Sequence, residues 1–180
     1  MCEYLPVKNF KWNSDEWTKE KILSLDDEGS TGYLFSVDLS LDDSLHDHFN
    51  NYPLCPESIS IKKDDLNDWQ QQDYKESKIK KLCLTFENKT NYVVNYRYLK
   101  LVLSLGYTLD KVNKVLEYTQ TDFLKEYIMM NTQLRTIATN DFEKDFYKLM
   151  NNAIYGKTLE NVRVRINFRL ISTEEEALRV

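Results

Sequence analysis

Near the end of the 180-residue chain, the stretch KDFYKLMNNAIYGKTLEN sets Lys144 and Lys148 four residues apart and follows them with Asn152, Tyr155 and Gly156. On a helix turning about 100° per residue, Lys144, Lys148, Asn151, Asn152 and Tyr155 share a sector of about 100°. Phe142, Phe146, Leu149 and Ala153 share a sector of about 60° on the other side. Two lysines one turn apart repel by roughly a few tenths of a kcal/mol. A triphosphate between them reverses that sign, since each charge-assisted contact is worth roughly 1.5–3 kcal/mol when partly desolvated. Asn152 adds an amide one turn further on, and Tyr155 a flat, stiff face against which a sugar or base can pack. The same spacing also describes a lysine-studded, solvated helix face, and the wheel alone does not separate the two readings.

The elements that position these residues are legible around them. DFLKEYIMMNTQLRTIA, with Thr121 as N-cap, predicts a helix of about 17 residues. TND breaks it, and Asn140 with Glu143 three residues on caps a second helix, FEKDFYKLMNNAIYG, that stops at Gly156. The pair reads as an αα-hairpin. NVRVRINFRLI then alternates: Val162, Val164, Ile166, Phe168 and Leu170 on one side, Arg163, Arg165, Asn167 and Arg169 on the other. That predicts a half-buried strand with a cationic outer face.

Upstream, GYLFSVDLS alternates as a strand, and LHDHFNNYPLCPE reads as a short helical or irregular piece. KKDDLNDWQQQDYKESKIKK reads as an exposed polar insertion. KLCLTF and NYVVNY flank ENKT as a hairpin, YRYLKLVLSLG is a helix closed by Gly106, TLDKVNKVL another short helix, and LEYTQ a strand. Thr173 and Glu176 have the spacing of a capping box, and both chain ends read as cut.

Composition narrows the classes. Lys and Arg number 24 against 29 Asp and Glu, a net charge of −5, which argues against a wholly basic nucleic-acid wrapper. The basic residues cluster late, from Lys144 to Arg169, so a local cationic surface on an acidic chain is compatible with this balance. Cys2, Cys55 and Cys83 are odd in number and widely spaced, which reads as a reducing, intracellular protein without disulfides or zinc. No apolar run reaches the roughly 18 residues of a membrane span. Asp38 reads as a hydrogen-bonded strand carboxylate, Asp42, Asp43, Asp47, Asp64 and Asp65 as a solvated acidic face, and His46 and His48 as surface histidines.

The string KLMNNAIYG, from Lys148 to Gly156, resembles the fingers motif of family B DNA polymerases, K-x-x-x-N-[SA]-x-Y-G. The longer string FEKDFYKLMNNAIYGKTLENVR is similar to the protein-primed enzymes of Polinton/Maverick-type mobile elements, related viruses and linear plasmids. The likeness extends upstream through NYRYLKLVLSLGYTLDKVNKVLEYTQTDFLKEYIMMNTQLRTIA and GYLFSVDLSLDDSLHDHFNNYPLCPE, so it covers essentially the whole chain.

The resemblance implies an α+β fold. Residues 1–120 would be part of a polymerase palm with insertion strands from the region that contacts a terminal protein. Residues 121–158 would be the fingers helix pair, and 159–180 a return strand into the palm. It implies a nucleotidyltransferase of DNA replication, with a deoxynucleoside triphosphate (dNTP) as substrate and Mg²⁺ as metal in the complete enzyme. Its partners would be a DNA primer-template, a terminal protein primer and the remaining polymerase polypeptide, with no membrane. By resemblance Lys148 contacts the phosphates, Lys144 and Arg135 add positive potential, and Asn152 and Tyr155 shape the nucleotide pocket. The Arg163, Arg165 and Arg169 stripe would track a phosphate backbone, form a solvated sheet face or make salt bridges to the remaining polymerase polypeptide.

The chain departs from the family in lacking both a D-x-x-x-L-Y-G string and a D-T-D hairpin. No catalytic residue and no metal ligand is therefore expected in it, and it is expected to be inactive alone. The rival expectations are a catalytically inactive remnant acting as a DNA- or protein-interaction module, and a free-standing nucleic-acid-binding domain.

Overall fold

The computed structural model describes residues 1–75, 79–166, 168, 170–174 and 178. The fold is α+β and divides into two compact units, Tyr4–Thr121 and a second made of Met1–Glu3 with Asp122–Val180. Among the described residues no helix is long and apolar enough to cross a membrane.

In the first unit, β1 (Leu5–Asn13), α1 (Lys19–Leu23) and β2 (Thr31–Ser40) are followed by a 3-10 turn, Asp43–Leu45, and α2 (His46–Phe49). Then come β3 (Glu57–Ile59), α3 (Asp68–Gln72), β4 (Lys81–Cys83), β5 (Lys89–Asn95), α4 (Tyr96–Ser104) and β6 (Thr108–Thr121). The main sheet is antiparallel, in the order β1-β6-β2-β5, and β3 pairs with β4 in a separate two-stranded sheet.

The alternation read in GYLFSVDLS is real: Phe35, Val37 and Leu39 are buried and Ser36, Asp38 and Ser40 are not. They join Val94, Val115, Ile22 of α1 and Tyr96, Leu99, Val102 and Leu103 of α4 in one core. Helix α4 is capped by the Asn95 side chain, which accepts from the Arg97 amide at 3.0 Å. It ends as the sequence predicts. Gly106 takes a φ of 112°, and the Tyr107 amide donates back to the Val102 carbonyl at 3.3 Å, the six-residue closure of a Schellman motif. Two buried polar groups tie distant segments together. Gln120 Nε2 donates to the Tyr96 hydroxyl at 2.8 Å and to the Gly29 carbonyl at 2.9 Å. Lys89 Nζ reaches Glu57 Oε2 at 2.9 Å and both Thr85 oxygens.

Several expectations are corrected. TLDKVNKVL is not a helix but the first part of β6, paired with β2. Two register shifts against β2 put Leu109, Val112 and Val115 opposite Leu39, Val37 and Phe35. Each bulge adds one residue, so a strand acquires the three-residue spacing of a helix. KLCLTF and NYVVNY do not form one hairpin, because β4 joins β3 while β5 joins β2. Strand β1, unread in the sequence, is an edge strand with its own irregularities, one of them at Asn9, whose φ is 59°.

In the second unit, α5 (Lys125–Ile137) and α6 (Asp141–Thr158) pack together across a three-residue connection. Asn140 caps α6 as expected, its side chain accepting from the Glu143 amide at 2.9 Å. Thr121 is not the cap of α5: it ends β6, and Leu124 precedes the helix without a side-chain cap bond. Gly156 does not stop α6. It keeps a right-handed conformation inside the helix, with open space around its Cα, and the chain leaves at Leu159. The expected strand over 161–171 is replaced, among the described residues, by a 3-10 turn at Val162–Val164. Val162, Val164, Ile166, Phe168 and Leu170 are all exposed. Alternation alone does not make a strand: the backbone needs a neighbouring strand to bond and the apolar side needs a surface to cover it. Asn167, Arg169 and Glu176 lie outside the described residues.

Candidate nucleotide-binding face

Helix α6 has three sides, not the two that the sequence suggests. Besides Glu143 in the first turn, Tyr147, Met150, Asn151 and Ile154 are its less exposed residues, facing α5, and the matching stripe on α5 is Tyr127, Ile128, Asn131 and Leu134. Phe142, Phe146 and Leu149, read as the apolar side, are exposed, Phe142 to 80%. Lys144, Lys148, Asn152 and Tyr155 form the third side, also exposed. Lys148 and Tyr155 are seven residues apart, which at about 100° per residue is roughly 20° short of two full turns, so they share one side.

The antiparallel pairing extends this grouping to α5. Rotating from the inter-helix stripe by about 100° per residue, Arg135 falls in the same sense from its stripe as Lys144, Lys148 and Tyr155 do from theirs. Met130 and Ile137 fall in the opposite sense, with Phe142, Phe146 and Leu149. The hairpin thus has one broad side that is cationic and polar and another that is apolar. The structure gathers Lys148, Lys144, Arg135, Asn152 and Tyr155 on the first.

Charge on this side is only partly neutralised. Lys144 Nζ lies 3.4 Å from Asp141 Oδ1, an exposed pair of little energetic weight. Among the described residues no carboxylate pairs with Lys148 or Arg135. The helix begins with Asp141 and Glu143 and has Lys157 in its last turn, both favourable to its dipole. Sequence reasoning gave Asn131 no role, and it is buried between the helices. Its Nδ2, and Oδ1 of Asn151, have no hydrogen-bond partner among the described residues.

The remaining candidates separate from this face. Arg163 sits on the 3-10 turn and Arg165 follows it, Arg165 Nε 3.6 Å from Glu160 Oε1, so they make no strand stripe. Arg169 lies outside the described residues. Asp38 is the hydrogen-bonded strand carboxylate expected: its Oδ1 accepts from the Asn91 amide and from Asn113 Nδ2, each at 2.7 Å. Those bonds, the backbone one foremost, hold its carboxyl below the usual aspartate range. His46 stacks on Phe86 at 4.4 Å, with Asp43 3.6 Å from its Nε2. Among the described residues no three His, Cys, Asp or Glu side chains converge to hold a metal ion.

The family model of DNA polymerase type B, organellar and viral, matches residues 7–177. Among solved structures, Phi29 DNA polymerase complexed with primer-template DNA is similar at 17% identity and a TM-score of 0.44, over 86% of this chain and 22% of that one. The chain therefore spans less than a quarter of that polymerase's length. No curated protein matches. With nearly its full length matched by that family model, the chain belongs to the type B DNA polymerases of organelles and viruses.

Proposed function

We propose that α5 and α6 are the nucleotide-binding fingers of a protein-primed type B DNA polymerase. The observation that carries this reading is the shared exposed side of Lys148 and Tyr155 on one unbroken helix. In this reading the triphosphate of an incoming dNTP lies along Lys148 and Lys144, with Arg135 adding positive potential from α5. Asn152 and Tyr155 bound the sugar and base. Lys148, free of a carboxylate partner among the described residues, gives up no ion pair to bind phosphate. Lys144 exchanges a weak surface pair for a stronger charge-assisted one.

The Mg²⁺ pair of such enzymes finds no matching donor set here. Asp38 spends its Oδ1 on Asn91 and Asn113, and no second carboxylate joins it in a metal cluster among the described residues. No catalytic step is therefore assigned to this chain, whose part is to bind and orient. Within the same reading the Tyr4–Thr121 unit is partial palm and the insertion that meets a terminal protein, and a DNA primer-template is the second partner. A second reading, a protein-interaction module without chemistry, draws on the exposed apolar side formed by Phe142, Phe146 and Leu149.

Equilibrium binding of a fluorescent dATP analogue to the 180-residue chain separates the two. The fingers reading expects weak binding that inorganic tripolyphosphate displaces and that Lys148→Ala reduces by about tenfold, the loss of one charge-assisted contact. Binding indifferent to Lys148→Ala, or no displacement by tripolyphosphate, contradicts it.

A further inference from the structure

The Tyr4–Thr121 unit packs its core on one side of its main sheet and buries the other side only around Gly32, Tyr118 and Gln120. The buried side carries Phe35, Val37, Val94 and Val115 and is packed by the core. On the other side the strand register aligns Trp12 with Leu116 and Leu116 with Leu34, and in the next row Lys114 with Ser36 and Ser36 with Val93. These residues line a groove of about 450 Å³ that crosses all four strands. Its rim is apolar and open: Trp12 is 70% exposed and Val93 69%. Lys114 is the one charged side chain among the described residues lining it. Lys114 has no carboxylate partner among those residues. The carboxylate nearest in register on this side, Asp38, is already held by Asn91, Asn113 and, across the strand pair, Lys111.

Trp12 also lines a second groove, of about 820 Å³, formed by residues 12–18 and 112–115, which includes Lys114 together with the carboxylates of Asp15 and Glu16. The two concavities therefore meet at one exposed indole and one unpaired ammonium. Leu116 lies directly opposite Trp12, so Lys114 is its diagonal cross-strand neighbour, at a Cα separation of about 7–8 Å.

We propose that this open sheet side is a platform for single-stranded nucleic acid, with a base stacked on Trp12 and an adjoining phosphate on Lys114. The occupant is argued from complementarity. A flat apolar surface beside a lone cation fits a ligand that is flat, apolar-faced and anionic within one repeating unit. A nucleotide has both parts, and stacking on aromatics tolerates any base. A duplex keeps its base faces hidden and offers only its phosphates. Phe10, on the same strand with its ring 5.8 Å from Tyr118, extends the platform by a second exposed ring. The inference stands apart from the fingers reading, since it uses no residue of α5 or α6.

The test is fluorescence anisotropy of a labelled oligo-dT with the 180-residue chain at low salt, together with its intrinsic tryptophan emission. The expected results are loss of about tenfold in affinity for Trp12→Ala and retention for Trp12→Phe. Lys114→Ala should weaken binding and flatten the slope of log affinity against log salt by about 0.7. Emission should be quenched by the oligonucleotide in the parent chain and not in Trp12→Phe. Affinity unaffected by both Trp12→Ala and Lys114→Ala, emission quenched equally in Trp12→Phe, or a duplex competing as well as the single strand overturns the proposal. The same holds if the chain binds no oligonucleotide.

Discussion

Lys148 and Tyr155 stand two turns apart on one exposed side of α6, and the helix between them is continuous through Gly156. That continuity matters because a break at the glycine would let the tyrosine swing free of the lysine's line. The local chemistry permits it: Gly156 sits in right-handed conformation with open space where a Cβ would stand, so it does not need the left-handed region. The Asn140 cap at one end and Lys157 at the other favour the helix from both termini.

Gly32 is a glycine whose missing side chain is required by packing. A Cβ there would meet Gln120 Oε1 and Tyr118 Cε2, each at 2.4 Å. Both of those side chains are buried, and Gln120 is held by Tyr96 and Gly29, so neither moves freely. Gly32→Ala is expected to destabilise the Tyr4–Thr121 unit by about 1–3 kcal/mol, the usual range for overpacking. Urea denaturation followed by circular dichroism measures this, and an unchanged midpoint would contradict the packing described.

Asp38 predicts a pH dependence. Hydrogen bonds from the Asn91 amide and then Asn113 lower its folded pKa. Its contribution is therefore present above the unfolded aspartate pKa and lost as pH falls through the folded value. Asp38→Asn keeps the shape and removes the charge. The melting temperature of the variant should lie below that of the parent at neutral pH, and the gap should close in acid, below the usual carboxylate range. A gap that persists there would show that charge on Asp38 is not what the two bonds stabilise.

Cys55 is fully buried, and burial pushes its thiol up to about 11, whereas Cys2 and Cys83 are partly exposed. Reactivity follows the thiolate and its access. Alkylation with N-ethylmaleimide at mildly alkaline pH, read by peptide mass spectrometry, should label Cys2 and Cys83 quickly and Cys55 only on unfolding. Prompt labelling of Cys55 in the native chain would contradict the core assignment around it.

Where the sequence was legible, a local rule and the tertiary contacts agreed. Asn140 and Gly106 bound their helices because caps act over a few residues, and β2 alternates because one of its sides is buried. The misread elements share a different cause. Leu109, Val112 and Val115 look helical only because two bulges shift their phase, and a bulge depends on the partner strand. Val162 to Leu170 look like a strand but have no strand beside them among the described residues. On α6 the Phe142, Phe146 and Leu149 stripe is more apolar than the one that faces α5. Hydrophobicity thus picked the wrong inner side, while the polar grouping of Lys144, Lys148, Asn152 and Tyr155 was visible from spacing alone.

The most direct measurement is single-turnover nucleotide incorporation by a complete type B polymerase carrying this α5–α6 segment, with Lys148 replaced by alanine. Removing one charge-assisted phosphate contact should raise the dissociation constant for the incoming dNTP by about tenfold or more, with affinity for primer-template duplex nearly unchanged. Equal losses in nucleotide and duplex binding, or no loss in either, would contradict the assignment of this helix side to the triphosphate.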